Sequence, residues 1–420
     1  MKTLDTLRRL MHGSILIGSL ALVACGGGGG GGSDAGSPTP GNPDAPGGST
    51  PNQPGDPTPT PAAALAGITA AAGRYHSVAV RADGTVWTWG ANGDGQLGDG
   101  SNTDRATPAP IGGLDGVTHV ATGEYHSLAL KGDGSVWAWG NNYSGQLGDG
   151  STTYRNVPVQ IAGLSGVKAI YAYGDHSLAL KDDGTVFAWG WNEWGQLGDG
   201  STTNRATPVQ VSGLSGIKQI AAGYYHGIAL KEDGTVYTWG DNYRGQLGDG
   251  STTTRLTAAI VPGLSGVKFI AAGWDHNLAV KDDGSVVAWG YNGYAQLGDG
   301  STTDRLAPVA VPGLANVVKA QAGGDHSFVQ LADGSLMGWG DNEYGQLGNG
   351  GTSTVTTPVA VAAAATGATS LSSSLNHTLA VMADGSLKAW GANSFGRLGD
   401  GSNAHQPLPV TAQISGVRQP

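Results

Sequence analysis

Seven Trp-Gly pairs punctuate the chain, beginning at Trp89, Trp139, Trp189, Trp239, Trp289, Trp339 and Trp390, with five intervals of 50 residues and one of 51. One unit is therefore copied seven times. Self-similarity at this period is the mark of a solenoid, a propeller or an array, in which each unit buries its apolar face only against its neighbours. Residues shared by all seven copies build that scaffold. Function belongs where the copies differ.

The copy at residues 217–262 reads IKQIAAGYYHGIALKEDGTVYTWGDNYRGQLGDGSTTTRLTAAIVP. Its apolar stretches are four to six residues long and bounded by Gly, Asp-Gly and Asn, and none has the length or the 3.6-residue period of a helix. Four strands are predicted, over 218–222, 227–231, 236–239 and 258–261. The Asp233-Gly234 pair between the second and third recurs at Asp83, Asp133, Asp183, Asp283, Asp333 and Asp384. Asp-Gly between apolar runs specifies a hairpin, since Gly accepts the positive φ of the turn. The prediction is an all-β fold, a seven-bladed β-propeller of four-stranded antiparallel blades. An open solenoid fits less well, because neither end carries a polar cap. The ends instead complement each other: 414–418 copies the 214–218 segment that leads into a first strand, and 68–73 supplies such a strand. The ring is expected to close there.

The pattern G-x-x-H-S-L-A-L-x-x-D-G-x-V-x-x-W-G-x-N-x-x-G-Q-L-G, matched over about residues 66–413, resembles the repeat of the regulator of chromosome condensation family. That resemblance implies a seven-bladed propeller. It implies little about activity, since family members include a nuclear exchange factor for a small GTPase, a plant ultraviolet-B photoreceptor and a secreted bacterial inhibitor of β-lactamases. The photoreceptor's sensing depends on Trp clustered before the repeated His, where this chain has only Trp274. Nucleotide exchange requires a nuclear partner that an exported protein does not meet.

Export is read from residues 1–24, where Lys2, Arg8 and Arg9 precede an apolar run from Ile15 to Ala24 that is too short to span a bilayer. The run ends Leu22-Val23-Ala24-Cys25, which resembles the lipobox of bacterial lipoproteins and implies lipidation at Cys25, the one cysteine of the chain. Gly26 rather than Asp follows it, which in the enterobacterial lipoproteins it resembles points to the outer membrane of the cell envelope. Residues 25–62 form a Gly- and Pro-rich tether too poor in apolar surface to fold. Residues 63–420 form the propeller. The net charge is −10; without Lys2, Asp5, Arg8 and Arg9 it becomes −12, and without Asp34, Asp44 and Asp56 in the tether, −9. Phosphate backbones would repel such a domain, so no nucleic-acid partner is expected.

His recurs at 76, 126, 176, 226, 276, 326 and 377. Zinc would need its His ligands within roughly 3.5 Å of one another, whereas equivalent positions on adjacent blades stand about 10 Å apart. A structural role, with the imidazole bonding backbone, is expected, and no metal or cofactor. The Arg at 105, 155, 205, 255 and 305 is expected to brace the Gln-Leu-Gly-Asp-Gly loop against an Asp.

In an antiparallel meander, the loop before each His and the loop after each Trp-Gly share one end. That end varies, while the end bearing the Asp-Gly turns is nearly constant. The variable loops hold thirteen of the chain's 29 aromatics and nine acidic residues against two Arg. The candidate partner-binding residues are Tyr75, Tyr125, Tyr143, Trp191, Trp194, Tyr224, Tyr225, Tyr243, Trp274, Asp275, Tyr291, Tyr294 and Tyr344. A face dense in Tyr and Trp with a carboxylate fringe has the composition of a binding hot spot. The expected function is a lipid-anchored, monomeric module that captures an unknown protein partner. The alternative is a carbohydrate-binding or glycan-degrading surface protein, because the same rings stack on sugars. Its best acids would be Glu124, Asp175, Asp275 and Asp325. No residue is assigned a catalytic role: no Ser-His-Asp, Cys-His or HExxH arrangement is visible.

Overall fold

The computed structural model describes residues 68–420. The export signal, Cys25 and the tether lie outside the described residues. The described chain forms seven four-stranded antiparallel sheets, each a meander of four strands consecutive in sequence. In blade 1 the strands are Ala70–Ala72, His76–Val80, Val86–Gly90 and Arg105–Pro110. Pairing His76 with Gly90 and Val78 with Thr88 puts the residues between them on alternate faces of the blade.

Two residues of the repeat explain why the blades stack. Each Trp of the Trp-Gly pairs is fully buried, and its indole N–H donates to a carbonyl of the preceding blade, as from Trp139 to Gln96 (2.8 Å) and from Trp239 to Gln196 (2.9 Å). The core thus lies between blades: Leu178, Leu180, Val186 and Leu197 of blade 3 meet Ile217, Ile220 and Trp239 of blade 4. The Gly that follows each Trp has no substitute. Gly90 sits at φ 109°, and a Cβ there would lie 2.5 Å from the Tyr75 carbonyl oxygen, so the glycine both permits the backbone angle and admits the neighbouring loop.

The fourth strand of blade 4 runs Arg255–Ile260, three residues earlier at its start than the predicted 258–261. Its outer face meets solvent, so Arg255-Leu256-Thr257 joins the sheet without the sustained apolar alternation that marks a half-buried strand. The five expected braces form, with Arg–Asp separations of 3.4 Å at Arg105–Asp99, 2.8 Å at Arg155–Asp149 and 2.7 Å at both Arg205–Asp199 and Arg305–Asp299; Arg255 pairs with Asp249 likewise.

The ring closes through a divided strand. The first strand of blade 1 has three residues where that of blade 2, Val117–Thr122, has six. Its missing beginning comes from the C-terminal segment: Val417 pairs antiparallel with Arg81, the Ala82 amide donates to the Gly416 carbonyl, and the Arg418 amide donates to that of Val80 (both 2.8 Å). Lys131 and Val117 make the same pairing within blade 2. Ile414 and Val417 enter one apolar cluster with Ala70, Ala79 and Trp89.

Candidate functional site

The loop before each His and the loop after each Trp-Gly meet in every blade. The amides of Ala91, Asn141, Trp191, Asp241, Tyr291, Asp341 and Ala392 each donate to the carbonyl of the residue preceding the His, at 2.8–2.9 Å. One variable end therefore exists as expected from the meander. Beneath it lies a belt of buried imidazoles.

Six of these seven imidazoles bond to the next blade's side chains rather than to backbone. His76 Nε2 lies 2.9 Å from Ser127 Oγ, His126 2.9 Å from Ser177 Oγ, His226 2.9 Å from Asn277 Oδ1, His276 2.9 Å from Ser327 Oγ, His326 2.6 Å from Ser373 Oγ, and His377 3.0 Å from Ser77 Oγ. For these six the expected backbone partner is corrected: in five junctions the residue after the next His points between the blades, where the preceding blade's ring reaches it, and in the sixth Ser373 of the first strand of blade 7 takes that place. Complete burial pushes the imidazole pKa down to about 3 at His76, His126, His176, His276 and His326, down to about 4 at His226, and well below the usual range at His377. The rings are neutral ties. Among the described residues, no three His, Cys, Asp or Glu side chains come together as a metal site would require.

Blade 3 breaks the belt. Five blades have Gly three residues before the His, where a Cβ would meet the imidazole at 2.0–2.4 Å; blade 3 has Tyr173. The residue that would receive His176 is Gly227, which carries no acceptor. Two departures from the repeat thus fall on one junction, and the polar group beside His176 is the Tyr173 backbone.

The residue two before each His is Arg74, Glu124, Gly174, Tyr224, Trp274, Gly324 or Leu375. A small pocket is lined by six of these seven, together with Tyr173 and Ser374, which places it on the axis of the ring. Gly174 has no side chain, so blade 2 reaches blade 4 across blade 3: Tyr224 Oη donates to Glu124, which also pairs with Arg74. On the far wall Tyr224 stacks on Trp274 with centroids 4.9 Å apart, and Tyr225 lies 4.6 Å from Tyr224 and 5.5 Å from Trp191. Burial raises the Tyr224 phenol well above its usual pKa.

The thirteen candidates consequently divide. Trp191, Tyr224, Tyr225, Trp274 and Tyr291 are buried, so these five candidates lie beneath the exposed face rather than on it. The physical cause is convergence, since seven loops aimed at one axis leave little room and large apolar rings fill it against one another. Tyr143 is 70% exposed, Tyr243 50% and Tyr294 39%, with Phe395 joining them at 46%. Tyr75, Tyr125, Trp194, Tyr344 and Asp275 are half-buried. Tyr75 is the centre of a second group, lying 6.0 Å from Tyr125 and 5.6 Å from Phe395.

The four carboxylates considered as acids are tied down. The Gln of the preceding blade donates to Asp175 (from Gln146, 3.0 Å), to Asp275 (from Gln246, 3.3 Å) and to Asp325 (from Gln296, 2.9 Å), while Glu124 holds Arg74 and Tyr224. They brace one blade against the next. Arg397 was missed, although its signal is plain: the Gln of Gly-Gln-Leu-Gly becomes Arg in the seventh copy alone. It is buried, donates to the carbonyls of Arg74 (2.7 Å) and Ser394 (3.1 Å), and lies 4.8 Å from the Tyr75 ring centroid. Burial lowers its pKa to about 10.

Comparison with known proteins places this geometry. The RCC1-like domain profile matches residues 22–212 and 167–329. The regulator of chromosome condensation (RCC1) repeat matches residues 333–381, with further repeat matches at 317–346 and 368–397. No curated protein matches the sequence. Among solved structures, yeast RCC1 (Prp20), seen bound to Kap60, is 25% identical with a TM-score of 0.72, over 81% of this chain and 85% of that one. Prp20p from Saccharomyces cerevisiae, reported together with its binding to Gsp1p and histones, is 24% identical with a TM-score of 0.68, over 80% and 87% of the two chains. Human WBSCR16 is 24% identical with a TM-score of 0.70, over 79% and 95%. The latter two likenesses concern the fold alone.

Proposed function

This chain belongs to the RCC1-like domain family, and on that premise we propose that it is a lipid-anchored module of the bacterial cell envelope that captures a protein partner on its variable propeller face. The observation that carries the reading is the contrast between the two ends. One end repeats the same Asp-Gly turn seven times, while the loops of the other carry exposed Tyr143, Tyr243, Tyr294 and Phe395 as well as the axial pocket. Large amphipathic rings give contact area at low entropic cost, and a few such residues carry most of an interface's affinity. The buried rings serve differently. Tyr224, Tyr225, Trp191 and Trp274 form a rigid floor that holds the rim loops in place, which lowers the ordering cost of binding.

Protein binding by a relative supports the reading: yeast RCC1 is seen bound to Kap60. The anchor rests on the lipobox-like Leu22-Val23-Ala24-Cys25. The test is capture from envelope extracts by residues 63–420, compared with a variant in which Tyr143, Tyr243 and Tyr294 are all Ala. Because all three rings are exposed, the variant should fold normally and lose a specific partner by at least about tenfold. Equal capture by both would defeat the proposal. Lipid attachment is tested by membrane fractionation of the full chain against Cys25→Ala, and an unchanged membrane fraction would remove the anchor.

A further inference from the structure

The outer edges of the seven blades are not equivalent. The fourth strand of every blade is the free edge of its sheet. At one register position of that strand six blades carry proline: Pro108, Pro158, Pro208, Pro308, Pro358 and Pro409. Blade 4 alone has Ala258 there, within Arg255–Ile260. The register makes the comparison strict, because Thr238 pairs with Ala259 as Thr88 pairs with Ala109 and Ala389 with Val410.

The direction of the amides gives the difference its meaning. Val261 N–H donates to the Val236 carbonyl on the third strand (2.9 Å). Alternate residues of a strand turn their polar groups to opposite edges, so those of Ala259 point inward as well and those of Ala258 and Ile260 point away from the sheet. The Leu256 carbonyl, of the same parity, accepts from Gly200 N–H of blade 3 (2.9 Å), and the Ala258 carbonyl lies near Gly213 of the connection into blade 4. Proline at this position deletes an outward N–H, a device by which edge strands avoid pairing with other chains. Packing does not demand the ring, since Ala258 lies against the apolar cluster of blade 3 without it. Beside it Ile260 is 51% exposed.

We propose that the outer edge of blade 4 is a second docking surface, which accepts an extended segment of a partner protein as a fifth, antiparallel strand along Ala258–Ile260. The segment is short, because the strand ends at Ile260 and blade 3 already holds Leu256 through Gly200. It carries an apolar side chain to meet Ile260 and basic residues at its flanks, since residues 63–420 sum to −9 and would repel a second copy of the same domain. Main-chain bonds supply affinity in this mode, and side-chain pockets supply specificity. The surface lies on the rim of the ring and does not depend on the variable face.

The probe is a fluorescent, end-blocked heptapeptide Lys-Val-Thr-Val-Thr-Val-Lys, titrated into the full chain and followed by polarisation. Saturable binding with one site is expected, together with slower hydrogen exchange at the Ala258 and Ile260 amides. Ala258→Pro installs the residue that six other blades accept, so the fold is retained, and binding should weaken at least about tenfold. Pro158→Ala should raise the stoichiometry from one to two by opening the edge of blade 2. Tyr143→Ala with Tyr243→Ala should leave peptide binding unchanged, which separates this surface from the variable face. Undiminished binding to Ala258→Pro, or no saturable binding to the unmodified chain, would overturn the proposal. So would concentration-dependent dimerisation abolished by Ala258→Pro, which would assign the edge to a second copy.

Discussion

Acidification should unfold this protein well before its carboxylates protonate. Six imidazoles, those of His76, His126, His176, His226, His276 and His326, are completely buried, with pKa values lowered to about 3 or 4 from an unfolded value of 6.5. Between those values the unfolded chain binds protons that the folded chain refuses. Stability is therefore complete above about pH 6.5 and is lost as pH falls toward the folded pKa. At pH 6 each unfolded imidazole is about three-quarters protonated, so six give a slope of about 6 kcal/mol per pH unit. By pH 5 each has forfeited about 2 kcal/mol and the six about 12 kcal/mol, which is comparable to the whole stability of an ordinary domain. Burial raises the pKa of Asp94 and Asp341, which opposes the trend only near and below their own titration. The loop aspartates such as Asp149 and Asp299 have lowered pKa values and begin to matter below the imidazole window. The assay is urea unfolding followed by Trp fluorescence at half-unit steps from pH 8 to pH 5. His126→Gln should reduce the slope by one proton, because Gln presents a nitrogen toward Ser177 without titrating. A change in unfolding free energy below about 2 kcal/mol between pH 7 and pH 5, the worth of a single ring, would refute the buried, neutral assignment.

Three further outcomes follow from the same structure. Removing residues 414–420 deletes the pairing with Arg81 and exposes the sites of Ile414 and Val417, and should cost about 3–6 kcal/mol for two apolar side chains, read by urea unfolding. Trp139→Phe keeps an aromatic ring but removes one of the two donors to the buried Gln96 carbonyl, the Ser127 hydroxyl remaining (3.0 Å), which should cost about 0.5–1.5 kcal/mol and lower the midpoint without changing the m-value. Gly227→Ser, despite restoring the consensus residue, should destabilise by about 1–3 kcal/mol, because its Cβ would fall 2.2 Å from Trp239 Cζ2; equal or greater stability in thermal melts would show that the ring moves aside freely.

The scaffold was legible because its constraints repeat. Trp89 and its six counterparts give the period, Asp83-Gly84 and its counterparts give the hairpins, and 414–418 announces the closure by copying 214–218. The site was less legible, because exposure depends on where a loop side chain turns. The residue directly after Trp-Gly faces inward in most copies, which buries Trp191 and Tyr291, whereas the residue two further on, Tyr143 or Tyr243, faces solvent. Composition counts all four alike. His76 shows the same limit on a smaller scale, since Ser127 stands fifty-one residues away and nothing local to either residue names the other. Tyr173 and Gly227 were visible as departures from the repeat, but only the packed junction relates them.

The divided strand of blade 1 has a consequence for chain topology. Residues 68–72 and 414–418 lie along one line, so the folded chain is a circle with a single cut, and the position of that cut is a matter of sequence rather than of packing. A chain rejoined across the cut and opened instead at another of the Gly-Leu-Ser-Gly turns, between Gly213 and Leu214 for example, would present the same seven junctions to the same neighbours. Such circular permutants should fold to the same ring. Their relative stabilities would measure directly what continuity of the first strand contributes at each blade.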